Sequence, residues 1–279
     1  MRGFRAAARA LGIALILLTA LAGFARIAVA KADSGVVMIE DLTWPEIKAR
    51  MQAGATTIIV PTGGTEQNGP HMVLGKHNYI VRYTAQEIAR RLGNTLVAPV
   101  LAYVPEGSWD PPEGHMRFPG SISLPDKVYE QVLESTVRSF AAEGFKAVVF
   151  LGDSGPNQKP QEAVAKRLTA ELKAKGVRVI QAGDYYSRNG QEEWLKSQGF
   201  TDADIGVHAA LADTSQLMAI RPDGIRTELL KSSAGNADGS KNGVIGDPAK
   251  ATADLGAKLL ELKIVTAVRE IREKLAAGL

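Results

Sequence analysis

The side chains best able to do chemistry gather behind one apolar run, Thr57-Ile58-Ile59-Val60. They lie in the segment Pro61-Thr62-Gly63-Gly64-Thr65-Glu66-Gln67-Asn68-Gly69-Pro70-His71, and His77 follows closely. A backbone turn calls for the glycines, but nothing about a turn calls for a carboxylate and imidazoles. Glu and His just past a strand end are suited to holding a divalent cation, and hence to hydrolytic chemistry. The chain has no cysteine, so any ligand set is built from imidazole and oxygen, which suits zinc, manganese or iron. The other two histidines, His115 and His208, also sit beside turn-forming segments. Any one histidine alone reads more readily as a surface or hydrogen-bonded residue than as a ligand; the case for a site rests on the set.

Two further clusters carry the same ambiguity. Gly152-Asp153-Ser154-Gly155-Pro156-Asn157 follows the apolar run Ala147-Val148-Val149-Phe150-Leu151. Asp153 and Asn157 could serve a tight turn and a helix cap, or Asp153 and Ser154 could face the same cavity as Glu66. The Gly-Asp-Ser-Gly string is also found in trypsin-like proteases, but the surrounding strand–helix rhythm does not suit a β-barrel protease. In His208-Ala209-Ala210-Leu211-Ala212-Asp213-Thr214-Ser215, Asp213 is either a helix cap or a catalytic group, with His208 at the helix entrance.

These clusters must be positioned by the elements around them. Thr43 before Trp44-Pro45-Glu46 predicts a helix ended by Gly54, and a strand follows at 57–61. Tyr79 to Leu92 has helical spacing and stops at Gly93-Asn94; Leu96 to Val100 reads as the next strand. Residues 105–120, rich in Pro and Gly, form a long loop. Ser123 and Asp126 resemble a helix start, Gly144 its end, and 147–151 a strand buried on both faces. A helix over about 160–175 leads to a strand at 177–180, and 232–246 reads as a loop. The last helix starts at Asp247-Pro248 and packs through Leu255, Leu259, Leu262, Ile271 and Leu275. The rhythm predicts an α/β fold, three layers α/β/α around a mostly parallel sheet, with ligands at the carboxyl ends of the strands.

Arg2, Arg5 and Arg9 precede the apolar stretch Leu11 to Leu21, and Ala28-Val29-Ala30 fits a cleavage site, so residues 1–30 read as a signal peptide. A retained membrane anchor is the alternative, although the apolar run is shorter than the ~20 residues a span needs. The formal charge is +3, and removing the four arginines of that leader leaves −1. Nothing else is basic enough to suggest nucleic acid. The remainder, 31–279, is expected to be one domain, periplasmic or secreted, free of the membrane once cleaved.

Taken in order, the motifs resemble the creatininase family of metal-dependent amidohydrolases. Gly64-Thr65-Glu66-Gln67-Asn68-Gly69-Pro70-His71 is similar to that family's Gly-Ser-x-Glu-Gln-His-Gly-Pro-His. Gly114-His115-Met116-Arg117-Phe118-Pro119-Gly120-Ser121 is similar to its His-x-x-Phe-Pro-Gly-Thr, and His208 through Ser215 to its His-Ala-Gly…Glu-Thr-Ser. Gly243-Val244-Ile245-Gly246-Asp247-Pro248 matches a late element, and the likeness spans about residues 42–275. The resemblance implies a two-metal site, but Asn68 stands for a ligand His, His77 for a bridging Asp, and Ser154 or Asp153 for a turn His. An imidazole nitrogen binds one cation where a carboxylate can bridge two, so one zinc or manganese ion is expected.

The expected site therefore has Glu66, His77 and Asp153 as metal ligands, with Asp213 the alternative third ligand, and His208, Asp213 and His115 as catalytic groups. Asn68, His71, Trp109 and Ser154 are expected to line the substrate pocket. The implied activity is exported hydrolysis of carbon–nitrogen bonds in small linear or cyclic amides. The alternative is a non-catalytic periplasmic binding protein that kept the cleft. Ring-like assemblies in the family imply a homo-oligomer.

Overall fold

In the computed structural model, residues 35–277 are described; the predicted leader lies outside them. Helix α1 (Trp44–Gln52) begins where Thr43 and Glu46 cap one another's backbone N–H groups, with Pro45 in the first turn. Strand β1 (Thr57–Thr62), helix α2 (Lys76–Leu92) and strand β2 (Thr95–Val97) follow. Then come α3 (Asp126–Glu143), β3 (Ala147–Gly152), α4 (Gln158–Leu172) and β4 (Arg178–Gln181). Three short helices, α5 (Asp184–Ser187), α6 (Gln191–Ser197) and α7 (Asp202–Ile205), lead to α8 (Leu211–Ile220) and the long α9 (Ala253–Ala276).

Among the described residues four strands form one sheet, all parallel, in the order β2-β1-β3-β4. Their unbroken apolar runs follow from burial on both faces. Because strand side chains alternate, Ile58, Val60, Val148 and Phe150 point to one side and pack on Leu133 and Val137 of α3 and Val164 and Leu168 of α4. Ile59, Val149, Leu151 and Ile180 point to the other, against Val81 and Ile88 of α2 and Ile264 and Ile271 of α9. The predicted three-layer α/β/α architecture is what forms. Among the described residues, no helix is long and apolar enough to cross a membrane.

Several boundaries differ from the sequence expectation. Helix α2 starts at Lys76, a turn earlier than Tyr79, which moves His77 from a loop into the first helical turn. Strand β2 ends at Val97 rather than Val100. Ser123 does not cap α3, where Pro125 stands at the N-cap; its hydroxyl is taken by Glu106 N–H and the Gly107 carbonyl. Helix α9 starts at Ala253, capped by Thr252, not at Asp247-Pro248. Of its expected apolar stripe, Leu259 and Ile271 are buried, while Leu255, Leu262 and Leu275 are half-buried.

Candidate functional site

The turn after β1 brings Glu66 to the carboxyl end of the sheet. Asn78, in α2, accepts a hydrogen bond from Gly64 N–H at 3.0 Å. A Cβ on Gly63 would lie 2.2 Å from Asn78 Oδ1, so only glycine lets turn and helix meet this closely. Asn157, at the start of α4, donates to Thr62 Oγ1 and to the Gly63 carbonyl, both at 2.9 Å, and ties the turn to the neighbouring strand's exit. A cavity of about 350 Å³ opens here, lined by Glu66, Gln67, Lys76, His77, His115, Ser154, Tyr186, His208 and Asp213 among others.

Glu66 is the hub of this cavity and is nearly fully buried. Its Oε1 lies 2.9 Å from His77 Nε2, 3.3 Å from Lys76 Nζ and 3.6 Å from His208 Nδ1, and its Oε2 lies 3.2 Å from His115 Nε2. None of the Oε1 contacts has hydrogen-bond alignment, so that oxygen keeps a lone pair. Burial raises the Glu66 pKa, but His77, Lys76 and His115 outweigh it and hold the carboxyl well below its usual range.

Lys76 is fully buried in the first turn of α2, where the helix dipole repels a cation. Its stability there comes from Asp213 Oδ2 at 2.9 Å and Glu66 Oε1. Burial pushes its pKa down; Asp213 and Glu66 more than reverse that, so the ammonium stays charged. Asp213, in the first turn of α8, also accepts from Ala209 N–H at 2.9 Å. This holds Ala209 at φ 51°, a left-handed conformation that fixes the neighbouring His208.

His77 stands between two carboxylates: Nδ1 is 2.8 Å from Asp153 Oδ2, while Nε2 faces Glu66. Both nitrogens must carry protons, and although burial and Lys76 lower the pKa of this ring, the two carboxylates raise it overall. Asp153 is held in turn by Lys263 of α9 and by the Tyr185 hydroxyl, which donates at 2.7 Å. The expected ligand trio is corrected on this point. Glu66 and His77 do meet, but Asp153 lies across the imidazole, so the three do not surround a common point.

Three expected pocket residues are also placed elsewhere. Asn68 is buried and donates to the carbonyls of Glu66, Val73 and Leu74, which shapes the turn rather than the cavity. His71 is buried with Nε2 3.0 Å from Thr214 Oγ1, pinning the turn to α8; burial lowers its pKa to about 4. Trp109 is exposed on the outer loop, away from the cavity lining. Ser154, His115, His208 and Asp213 do line it.

Sequence reading missed Lys76, Lys263, Glu106 and Gln67. Lys263 had a signal, since it sits four residues from both Leu259 and Ala267, on a stripe that is otherwise apolar. Glu106 had none: it is buried, both carboxyl oxygens lack partners, and it faces Glu66 and Ser154. Burial and the neighbouring Glu66 push its pKa up to about 11, so it is a neutral acid.

Gln67 decides where the imidazole protons sit. Its Oε1 accepts from Gly69 N–H at 3.0 Å, which fixes the amide's orientation. Its Nε2 donates to the Gly243 carbonyl at 2.9 Å and faces His115 Nδ1 at 3.1 Å. His115 therefore carries its proton on Nε2, toward Glu66. His208 Nε2 lies 2.9 Å from the Gln67 carbonyl and donates to it, so a neutral His208 presents a bare Nδ1. The 3.1 Å approach of Gln67 Nε2 to His208 Nε2 is then a contact between two N–H groups. Burial lowers both pKa values, that of His208 to about 4, and both rings are neutral near pH 7.

Glu66, His115 and His208 offer ligand atoms all within 4.8 Å of one another, a spacing that could enclose one ion. Their protons are against it. His115 turns an N–H toward that point, which leaves two lone-pair groups where a catalytic zinc takes three. An ion on Glu66 Oε1 would also crowd the Lys76 ammonium and the protonated His77, 3.3 and 2.9 Å from that oxygen. As arranged, the residues do not fit a resident divalent cation.

Comparison with known proteins gives a consistent picture. A family model described as creatinine amidohydrolase matches residues 40–271. A creatinine amidohydrolase of Pseudomonas putida is 27% identical over 192 residues, covering 67% of this chain and 73% of that protein. A mycofactocin precursor peptide peptidase of Mycolicibacterium smegmatis is 28% identical over 221 residues, 72% of this chain and 78% of its own. A solved creatininase in a manganese form superposes with a TM-score of 0.71 at 24% identity, over 86% of this chain and 99% of its own. A zinc–zinc form gives 0.70 at 23% identity, with the same shares covered.

Proposed function

Because this chain belongs to the creatinine amidohydrolase family, we propose that it hydrolyses a carbon–nitrogen bond in a small linear or cyclic amide, in keeping with the amidohydrolase and peptidase names of its relatives. One observation carries this reading: two acceptors, Glu66 Oε1 and His208 Nδ1, face each other 3.6 Å apart at the cavity, with no donor aligned between them. Two lone pairs held that close call for a donor, and a water molecule or a substrate N–H supplies one.

In this reading the water donates to both atoms and attacks the amide carbonyl carbon. His208 Nδ1 takes the water's proton, and Glu66, ionised beside it, stabilises the imidazolium that forms. Lys76, on the cavity wall, stabilises the negative charge developing on the carbonyl oxygen. The carbon–nitrogen bond then breaks as His208 returns the proton to the leaving nitrogen, giving a carboxylic acid and an amine. His115, with its ring centroid 4.6 Å from that of His208, and Ser154 border the substrate.

The expectation of zinc or manganese draws on the manganese and zinc–zinc forms of the solved relatives, and the spacing of Glu66, His115 and His208 suits a single ion. The protons those residues share argue the other way. An extracytoplasmic location is supported by the leader pattern of residues 1–30. The test is amine release from a panel of cyclic amides, linear amides and short peptides. Glu66→Gln and His208→Asn should each lower kcat about 10²–10⁴-fold with the fold intact by circular dichroism. Turnover unchanged in both variants would refute this assignment.

A second reading, a binding protein that has lost catalysis, is favoured by the way Lys76, His77 and His115 already surround Glu66. It requires ligands from the same panel to raise the Tm with no amine released.

A further inference from the structure

The buried charges around Glu66 form a closed set. Three carboxylates, Glu66, Asp153 and Asp213, meet three cations, Lys76, Lys263 and the doubly hydrogen-bearing His77. The groups alternate in sign along the chain of contacts: Asp213, Lys76, Glu66, His77, Asp153, Lys263. Each end is tied to a different element, α8 at Asp213 and α9 at Lys263. Glu106 adds no charge to the set, because burial and the facing Glu66 carboxylate keep its carboxyl protonated.

We propose that the Lys76 ammonium is the permanent cation of this pocket, filling with His77 the electrostatic place that a divalent metal would take, so that the protein works without zinc or manganese. The geometry leaves little alternative. Lys76 Nζ is fully buried and reaches both Glu66 Oε1 and Asp213 Oδ2, and a lysine on the first turn of a helix gains nothing from that helix. A divalent ion added to the set would leave two positive charges uncompensated among largely buried groups, a state that proteins avoid. On Glu66 Oε1 it would meet that ammonium, 3.3 Å away, and the His77 ring nitrogen, 2.9 Å away. Loaded with its own cation, the pocket keeps a fixed positive group against the carbonyl oxygen and stays indifferent to chelators.

This inference takes the pocket of the proposed hydrolase as its setting, but its test needs no substrate. The leader-cleaved protein is prepared in zinc- or manganese-supplemented medium, and its metal content is measured beside calorimetric titrations with ZnCl₂ and MnCl₂. The expected result is trace metal only, no saturable binding, and a Tm unchanged by EDTA or by either salt. Close to one ion per chain, or a Tm that rises with added metal, overturns it, whether or not an amide is ever hydrolysed. Failure of the whole amide panel, in contrast, sinks the hydrolase reading and leaves the metal result standing.

A charge-balance experiment supplies the second arm. Lys76→Met should be severely destabilised, and Lys76→Met with Glu66→Gln should have a higher Tm than Lys76→Met alone, since the double variant removes both signs. A double variant less stable than Lys76→Met overturns the pairing. If Lys76→Met does not fold, recovery of folded protein in the double variant is the supporting result and its absence the opposing one.

Discussion

Glu106 and Glu66 are buried carboxyls that face each other, and their surroundings drive them to opposite protonation states. Cations crowd Glu66 and keep it ionised; Glu106 sees burial and a negative neighbour and keeps its proton. Stability is linked to this. With a folded pKa near 11 and an unfolded value near 4.5, Glu106 binds a proton only in the folded state between those limits. Its contribution is complete below the unfolded value and is lost as pH rises, at up to about 1.4 kcal/mol per pH unit. Glu106→Gln keeps the shape and needs no proton, so it should stabilise the protein by about 1–3 kcal/mol at pH 7.5 and flatten the decline between pH 7 and 9. Urea unfolding at several pH values measures this; a variant less stable than the parent at pH 7.5 would refute it.

The turn after β1 and the start of α2 form one unit. Gly63 touches Asn78 side chain and backbone, where a Cβ would meet atoms at 2.2 and 2.8 Å. Gly63→Ala should therefore cost about 1–3 kcal/mol and lower activity by more than the stability loss explains, because it shifts Glu66 away from Lys76 and His77. Denaturation midpoints and initial rates on the same samples check both parts. His71 pins the far side of this turn to α8 through Thr214. Its folded pKa is about 4, below the usual 6.5, so the neutral ring favours folding above the unfolded value. That stability is lost as pH falls toward 4, by an amount on the order of 2–3 kcal/mol. His71→Asn should be less stable near pH 7 yet lose less on acidification to pH 4.5, which parallel urea titrations would register. The strand expected at 57–61 was legible because an apolar run ending in Gly-Gly admits few other readings. The helix start was not, because Gly75-Lys76-His77 carries no capping side chain, and what holds that turn is Asn78 bonding to Gly64 and Lys76 pairing across the pocket.

Across the whole molecule, the site depends on the chain's last helix. Helix α9 covers one face of the sheet with Ile264 and Ile271 and sends Lys263 inward to Asp153, with its ammonium 4.4 Å from the Tyr185 ring centroid. Lys263→Met should cost roughly 3–5 kcal/mol, because it leaves a buried carboxylate without its cation. Adding Asp153→Asn should recover part of that loss; fully additive losses in chemical denaturation would show that the pair does not act as one. The same dependence explains why the packing face of α9 includes a lysine and a glutamate: Glu270 accepts from the Gly183 and Asp184 N–H groups at 3.1 and 2.9 Å and so fixes the start of α5.

The sequence by itself determined the α/β class, the parallel sheet and the place of the pocket, since hydrophobic periodicity and glycine-marked strand ends are local properties that the chain states directly. Of the residues it named, Glu66, His77, His115, Ser154, His208 and Asp213 line that cavity. What it left open was which charges meet there. Lys76 and Lys263 stand far apart along the chain, and Glu106 sits in a Pro- and Gly-rich loop with no periodicity. Only tertiary packing brings such groups into one desolvated space, where the sign of each neighbour decides protonation and pairing. The tertiary structure therefore turned an expected trio of metal ligands into a row of paired charges.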